Sequence, residues 1–496
     1  MNSVKELKLE ELNDKLYERT LQFIFIKATL DMFKDAKIII EHSINRGIYG
    51  DIHKSTKLSE EDIEAIKKRM QEIIDADLEI KKVKVTREAA INIFSAYGLE
   101  DKVMLLKQIE LQYVNLYELD GRYDYFYGRM AKSTGHIEAF DFVKHNEGFR
   151  LMRPNMIDTT VLPKYVEQKK VRSIFRETSK WSKILGVRHV ASLNEKIENG
   201  ELINLMMTCE ALHEKKIGHI ADMIGERKEA KLILIAGPSS SGKTTFANRL
   251  SIQLRVNGLI PIAISMDDYF VDRVNTPVDE NGEYDFESIR SVDTELLNEH
   301  LNRIFKGEEV ELPQFNFFKG EREWLGKKFK LPENGVVILE GIHGLNPELT
   351  SHVEEKYKFR IYVSALTQLN LDNHNRISTT DVRRVRRIVR DALSRGHGAE
   401  ATLAMWPKIK SGEKKNIFVY QEEADVMFNS TLAYELCVLK EYALRELEKI
   451  DKESPVYLEG QRLISFLGFF KSIDKDLVAT NSILREFIGG SIFYKY

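Results

Sequence analysis

The chain of 496 residues contains only two cysteines, Cys209 and Cys437, far apart in sequence. That excludes a disulfide framework, argues against a thiolate metal site, and predicts a reducing, cytoplasmic compartment. Proline is scarce as well, and two of the ten prolines fall in "LMRPNMIDTTVLPKY" (151–165), which reads as a linker. No apolar run approaches the ~18 residues of a membrane span, "LISFLGFF" being among the longest. The opening "MNSVKELKLEELNDKL" is a charged helical stretch without an apolar signal core, so no membrane partner is expected. A net charge of −3 gives no general pull toward nucleic acid, and any such contact would need a local patch. Self-association is left open.

Residues 1–150 mix short helices with strand-like runs such as "AKIIIEH" and "YVNLYEL", the pattern of an α+β domain. Residues 151–229 read as the linker followed by a helical connector from about Tyr165 to Glu229. From 230 to 450, short apolar runs alternate with helical segments: "LILIA" (232–236), "PIAIS" (261–265), "VVILEG" (336–341), "FRIYVS" (359–364) and "DVMFN" (425–429). That alternation predicts an α/β domain with a doubly wound parallel sheet. Residues 451–496 form a C-terminal extension, in which the Gly489-Gly490 pair reads as a turn.

Between the first run and its helix lies "GPSSSGKT": Gly237, Pro238, Ser239, Ser240, Ser241, Gly242, Lys243 and Thr244, followed by Thr245. It fits the G-x-x-x-x-G-K-[ST] pattern, and the chemistry explains each residue type. Glycines let backbone N–H groups turn inward as an anion nest, the lysine reaches the β- and γ-phosphates, and the hydroxyl of Thr244 suits Mg²⁺. The following "TTFANRLSIQLRVNG" has helical spacing and stops at Gly258.

In such a sheet ligands sit beyond the carboxyl ends of the strands, so the residues ending each run matter. "PIAIS" is followed by Asp267 and Asp268, and "VVIL" by Glu340. A carboxylate beside ATP can accept the proton of an attacking hydroxyl or hold Mg²⁺; an aspartate there can equally be a helix N-cap. Farther on, "DVRRVRRIVRDALSRG" stacks Arg383, Arg386 or Arg387, and Arg390 along one helical face. A solvated face and a nucleic-acid patch compete with the favoured expectation, a lid that closes over the triphosphate.

Taken in order, "GPSSSGKTTFA", "SMDDYF", "YDFES", "PQFNF", "LEGIHGL" and "RRIVRDALSRG" resemble the uridine kinase and phosphoribulokinase family of P-loop kinases over roughly Lys231 to Leu439. The resemblance implies an ATP- and Mg²⁺-dependent kinase with a small-molecule acceptor, a nucleoside above all. It makes Asp267 the catalytic base, with Lys243 and Glu340 beside it, and puts Thr244 and Glu340 at the metal. Glu287 falls where a carboxylate meets ribose hydroxyls. Arg322, Arg387, Arg390 and Arg395 match basic residues around substrate and lid, and Asp391 is expected to orient an arginine. The tyrosine and histidine that read the base in uridine kinases align with Phe315 and Gly320, which puts uridine itself in doubt.

The N-terminal stretches "DMFKDAKIIIEHSINRGIYGDI" and "STGHIEAF" resemble the second additional domain of threonyl-tRNA synthetase, an α+β editing domain. Its catalytic histidines and cysteine align with Phe23, Lys27, Phe126 and Met130, so the resemblance implies no editing chemistry and no zinc. His42, His53 and His136 are expected at the surface or in caps. "HEKKIGH" places His213 and His219 six apart, on different helix faces, and is rejected as a zinc helix. Two other readings stay open: an RNA- or tRNA-binding regulatory ATPase, and a sugar kinase of the phosphoribulokinase type.

Overall fold

The computed structural model describes residues 4–156, 158–278, 282, 284–316, 319–367 and 369–494, with side chains from residue 13 onward. Ile157 of the linker, Phe317 of "PQFNF" and the terminal residues 1–3 and 495–496 lie outside them. The N-terminal half of the chain runs α1 (Val4–Met32), β1 (Lys37–Ile44), β2 (Gly47–His53), α2 (Glu60–Asp75), β3 (Ile80–Thr86), α3 (Arg87–Ala96), α4 (Glu100–Lys107), β4 (Tyr113–Leu119), β5 (Arg122–Asp124), β6 (Asp141–His145) and β7 (Gly148–Met152). The connector forms α5 (Lys169–Leu185), α6 (Val190–Glu198) and α7 (Leu202–Glu226). Then follow β8 (Leu232–Ala236), α8 (Lys243–Val256), β9 (Ile260–Ser265), α9 (Thr294–Phe305), β10 (Val310–Asn316), β11 (Glu321–Phe329), β12 (Gly335–Glu340), β13 (Lys358–Ser364), α10 (Thr379–Ser394), α11 (Ala399–Asn416), β14 (Val426–Asn429), α12 (Glu435–Leu447), α13 (Tyr457–Leu467) and α14 (Arg485–Ile488).

Five strands make one parallel sheet in the order β14-β13-β8-β12-β9. Every residue of β8 is buried because both faces of the sheet are covered. Ile233, Ile235, Ile338 and Ile361 pack with α7, α8, α10 and α12, whereas Leu232, Leu234, Val337 and Leu339 pack with Leu297, Leu301 and Ile304 of α9. The chain leaves β8 toward β9 on one side and reaches β13 on the other. The carboxyl end of β8 is therefore the switch point where a crevice opens.

The N-terminal region is α+β, with antiparallel sheets β1-β2-β7-β6 and β3-β4-β5. Most of α1 beyond its first turns is buried, because Leu21, Phe23, Phe25 and Ile26 point into one core with α2 and both sheets. Phe23 and Phe126 pack with tilted rings at 5.4 Å between centroids, and Met130 joins the same core. Lys27 instead pairs with Asp31 at 2.6 Å and Asp120 at 3.1 Å. Three of the four positions aligned with editing residues thus share one hydrophobic core, and the fourth is ion-paired. We expect the purified chain to release no amino acid from mischarged tRNA and to bind no stoichiometric zinc; deacylation above background, or zinc retained by the purified chain in elemental analysis, would contradict this.

The two halves share a core. Phe94, Leu105 and Leu106 from the N-terminal region pack with the same cluster as α7, α12 and the C-terminal Phe466 and Phe487. The loop before α10 is clamped by the N-terminal region: Ile40 donates to the Asn373 carbonyl at 2.8 Å, and Lys102 bridges Asp124 and Asp372 at 2.9 and 2.8 Å. His374 Nδ1 meets Asp124 at 2.7 Å. Lys102, buried with two carboxylates, stays charged because their fields outweigh its desolvation. No helix among the described residues is long and apolar enough to cross a membrane.

Candidate active site

The phosphate loop begins where β8 ends. A Cβ on Gly237 would lie 2.1 Å from the Val363 carbonyl oxygen, so only glycine fits against that strand. Gly242, at φ +82°, turns the chain into α8, and Ser240 also adopts a left-handed φ of +58°. Such turns point successive N–H groups inward at the positive end of a helix. The hydroxyl oxygens of Ser240 and Ser241 are buried there without a hydrogen-bond partner among the described residues, polar atoms that a phosphate would satisfy.

Lys243 Nζ donates to the Pro238 carbonyl at 3.2 Å, and burial holds its ammonium below the usual value despite the nearby Glu340 and Glu486. Thr244 Oγ1 donates to Glu340 Oε2 at 3.2 Å. Burial pushes the Glu340 carboxyl up, with Glu486 and Asp267 adding to it and Lys243 opposing. One hydroxyl and one carboxylate this close, at a phosphate nest, are the donor set that Mg²⁺ uses when phosphate oxygens complete its shell.

Asp267 sits on a single 3₁₀ turn, 266–269, directly after β9. Its side chain is open to the crevice and, among the described residues, makes no hydrogen bond and no ion pair. Surrounding protein first, and Asp268 second, nevertheless push its carboxyl up, while Lys243 and Arg395 pull it down. Asp268 behaves differently, accepting the Phe315 N–H at 3.2 Å and fixing the β10–β11 hairpin beside the turn. Neither aspartate caps a helix with its side chain.

Glu287 is half-buried, in a loop behind α11, where its carboxyl is pushed up to about 7, first by burial and then by Glu413 and Asp285. Arg387 and Lys408 oppose that shift and lie on the same side of the crevice. Phe315 is buried edge-on against Phe270 at 5.7 Å. Gly320 has φ +75° with no room for a side chain, since a Cβ would meet Arg273 at 2.8 Å. Arg322 is held by Asp293 at 3.0 Å and by the Phe270 carbonyl at 3.2 Å, so it braces the hairpin.

The arginine helix α10 corrects the expectation of a lid. Arg383, Arg386 and Arg390 are buried, and α10 packs on α11, α12 and α14. Arg383 donates to the Ser239 carbonyl at 2.9 Å, Arg386 to the Ser240 carbonyl at 3.3 Å, and Arg387 to Ser239 Oγ at 2.6 Å. Arg386 is neutralised by Glu435 at 2.7 Å. The fully buried Asp391 binds Arg387 at 3.0 Å, Arg390 at 2.9 Å and Arg395 at 3.6 Å. The guanidinium row is a wall of the phosphate loop, not a mobile cover, because each charge finds a partner inside.

Two carboxylates escaped sequence reasoning. Glu413 of α11 accepts the Ser239 N–H at 2.8 Å, and Glu486 of α14 accepts the N–H and hydroxyl of Thr245 at 3.2 and 3.0 Å. Both sit on phosphate-loop donors. Among the histidines, His53 and His136 are exposed, whereas His42 is half-buried and stacks on Tyr49 at 5.0 Å and Phe175 at 4.3 Å. His213 is buried and His219 exposed, on opposite faces of α7.

A parallel sheet with a phosphate loop at its switch point, and acidic residues at the ends of neighbouring strands, is the arrangement of a P-loop phosphoryl-transfer domain. Residues 232–435 match the Phosphoribulokinase / Uridine kinase family, and the chain carries a domain of that family there. The chain is 26% identical over 194 residues to a uridine kinase of Halobacterium salinarum, covering 39% of this chain and 77% of that protein. Its N-terminal region is similar to threonine–tRNA ligase of Oceanobacillus iheyensis, 37% identical over 118 residues; this spans 24% of this chain and 18% of the ligase's length. A solved Bacillus stearothermophilus structure described as a possible uridine kinase is 18% identical, covering 42% of this chain and 98% of its own at a TM-score of 0.29. The chain is an ATP-dependent kinase with an alcohol acceptor.

Proposed function

We propose that the chain is a nucleoside kinase that transfers the γ-phosphoryl group of ATP to the 5′-hydroxyl of a nucleoside. The observation that carries this reading is Asp267: a raised carboxylate without a hydrogen-bond or ion-pair partner among the described residues, at the end of a strand beside the phosphate loop. A regulatory ATPase needs no carboxylates for an acceptor sugar, whereas here Asp267 is accompanied by Glu287. A carboxylate with an upward-shifted pKa is a better base near neutral pH than an ordinary aspartate.

In this reading residues 237–245 hold the triphosphate and Lys243 balances charge on the β- and γ-phosphates. Asp267 takes the proton of the 5′-hydroxyl as its oxygen bonds to the γ-phosphorus and the bond to the ADP oxygen breaks. Arg387, Arg390 and Arg395, ordered by Asp391, supply positive charge near the migrating group. Thr244 and Glu340 would hold Mg²⁺, which neutralises phosphate charge when bound. Glu287 accepts hydrogen bonds from the ribose diol. We assign residues 1–150 to the synthetase-like domain, 151–229 to the linker and connector, 230–450 to the kinase domain and 451–496 to an extension that braces the phosphate loop through Glu486. Phosphorus NMR of a reaction with ATP and a nucleoside tests the reading, which requires a new 5′-monophosphate signal; ADP and orthophosphate alone would defeat it.

Lys243→Ala is expected to impair ATP use itself, raising the KM for ATP and lowering kcat together, because it removes the one lysine of the loop. An unchanged KM for ATP would show that the triphosphate binds elsewhere.

Glu287 gives a pH dependence. Its folded pKa of about 7 lies above the usual 4.5, so the folded chain holds that proton more tightly than the unfolded chain. Ionising it therefore takes away stability as pH rises from about 4.5 through about 7. Glu287→Gln should melt higher than the parent at pH 8 and close to it at pH 5. Since the ribose diol donates hydrogen bonds to the ionised form, the KM for the acceptor should fall as pH rises through about 7 in the parent and stay flat in the variant. An identical pH profile of KM in both chains would remove Glu287 from the acceptor site.

A further inference from the structure

Between the N-terminal region and the kinase domain lies a cavity of about 540 Å³, within the size range of small-molecule sites. Its walls are α1, the turn 125–129 after β5, the start of α10, and α13. None of the phosphate loop, Asp267, Glu287 or Glu340 lines it. Of the four positions aligned with editing residues, only Phe126 touches it.

Seven basic side chains face three acidic ones across this space. The three carboxylates are already engaged. Glu18 is bracketed by Arg153 at 2.7 Å and Arg376 at 3.0 Å, Asp381 by Arg462 at 2.6 Å and Arg384 at 3.7 Å, and Glu459 by the same two arginines at 2.7 and 2.6 Å. Arg19, Lys82 and Arg129, by contrast, have no carboxylate within 4.0 Å among the described residues. Arg19 is the most telling, because its half-buried guanidinium donates to the Arg129 carbonyl at 3.4 Å and lies 5.8 Å from the Tyr127 ring centre. Burial first, and the like charge of Arg462 second, hold it below its usual value, while Glu18 and Asp381 oppose that shift from beyond ion-pair distance. Positive charge that meets no carboxylate at ion-pair distance in a cavity wall favours an anionic ligand.

Aromatic rings line the same cavity. Tyr127 is stacked on Phe466 at 5.5 Å, and Tyr125 is set edge-on against Phe469 at 5.6 Å, so both rings are fixed in place. Fixed tyrosines and guanidinium planes are surfaces on which a base can stack. We infer that the cavity between α1, the 125–129 turn, α10 and α13 binds a nucleoside phosphate, its phosphate on Arg19, Lys82 and Arg129 and its base against Tyr125 and Tyr127.

The site is wired to the phosphate loop by one helix. Ser378, Thr380, Asp381 and Arg384, at the start of α10, line the cavity. The adjoining Arg383, Arg386 and Arg387 donate to Ser239 and Ser240 of the loop. A ligand that pulls on Asp381 or Arg384 shifts the helix that positions those carbonyls, so occupancy changes the KM for ATP. This regulatory half rests on the kinase reading; the binding site does not.

Hydrogen exchange read by mass spectrometry on the full chain tests it, with a non-hydrolysable ATP analogue saturating the phosphate loop and UMP, CMP, AMP or GMP added as the probe. At least one nucleotide should protect peptides covering 122–130 and 374–386. Arg129→Glu, an exposed substitution, and Arg19→Ala should each weaken that protection tenfold or more while the analogue still protects 237–245, which also shows that the variants fold. Protection confined to 237–245 and 265–290, or equal protection in the parent and both variants, would overturn the site. Orthophosphate alone protecting 122–130 as well as the nucleotides do would overturn the role of the base. The bound nucleotide should also shift the KM for ATP about fivefold or more in the parent and not in Arg129→Glu; an unchanged KM with the cavity protected would overturn the coupling. Exchange needs no turnover, so a missing kinase reaction leaves the binding result intact.

Discussion

Asp267→Asn is expected to lower kcat by about 10²- to 10⁴-fold while the affinity for ATP stays within about twofold, because positioned general-base help is worth that much and the loop grips phosphates without it. The structure sharpens the reason. Asp267 braces no helix and anchors no strand, since its carboxylate has no partner among the described residues, so an isosteric amide removes basicity with little disturbance to the fold. Asp268 is the internal control. Its carboxylate holds the Phe315 N–H, so Asp268→Asn should act on the hairpin and on acceptor KM more than on kcat. Kinetics of both variants with the true acceptor decide the matter: Asp267→Asn at near-parental kcat would end the base assignment.

Relaxed base selectivity is the second large expected effect. A site that hydrogen-bonds a base rejects analogues lacking the partner by 10⁴-fold or more, whereas an apolar pocket separates them by only about 10- to 200-fold. Phe315 offers an edge-on ring against Phe270, and Gly320 has no side chain and no space for one. Neither donates a side-chain hydrogen bond. Uridine, cytidine, adenosine, guanosine and inosine should therefore fall within about 200-fold of one another in kcat/KM, with a purine or modified nucleoside a serious candidate for the best acceptor. A preference for uridine above 10⁴-fold would mean that other residues read the base.

Much of the kinase half was legible because parallel strands buried on both faces appear as uninterrupted apolar runs. "LILIA" is β8 residue for residue, and the other four strands of the parallel sheet shift by a residue or less, whereas the β10–β11 hairpin was not read as strand. The phosphate loop was legible because its chemistry is local. Glu413 and Glu486 were not, since they reach loop residues 174 and 241 positions away from within helices that carry no motif of their own. The arginine row was misjudged for a related reason. Spacing showed that the guanidinium groups share a face and the resemblance implied that Asp391 orients an arginine, but only the fold reveals that Glu435 and Glu413 wait for them inside as well. Likewise, the editing-domain positions showed which catalytic residues are missing, yet not that Phe23 and Phe126 close that space with a ring contact.

The measurement that bears most directly on phosphoryl transfer to a nucleoside is ADP release by the purified full chain with ATP and Mg²⁺, with and without each member of a panel of nucleosides, free sugars and sugar phosphates. The account predicts slow release without acceptor and a stimulation of at least 10²-fold by one or more nucleosides, with no comparable response to base-free sugars. ADP release that is equally fast without any acceptor, or that responds only to RNA or to a sugar phosphate, would contradict it.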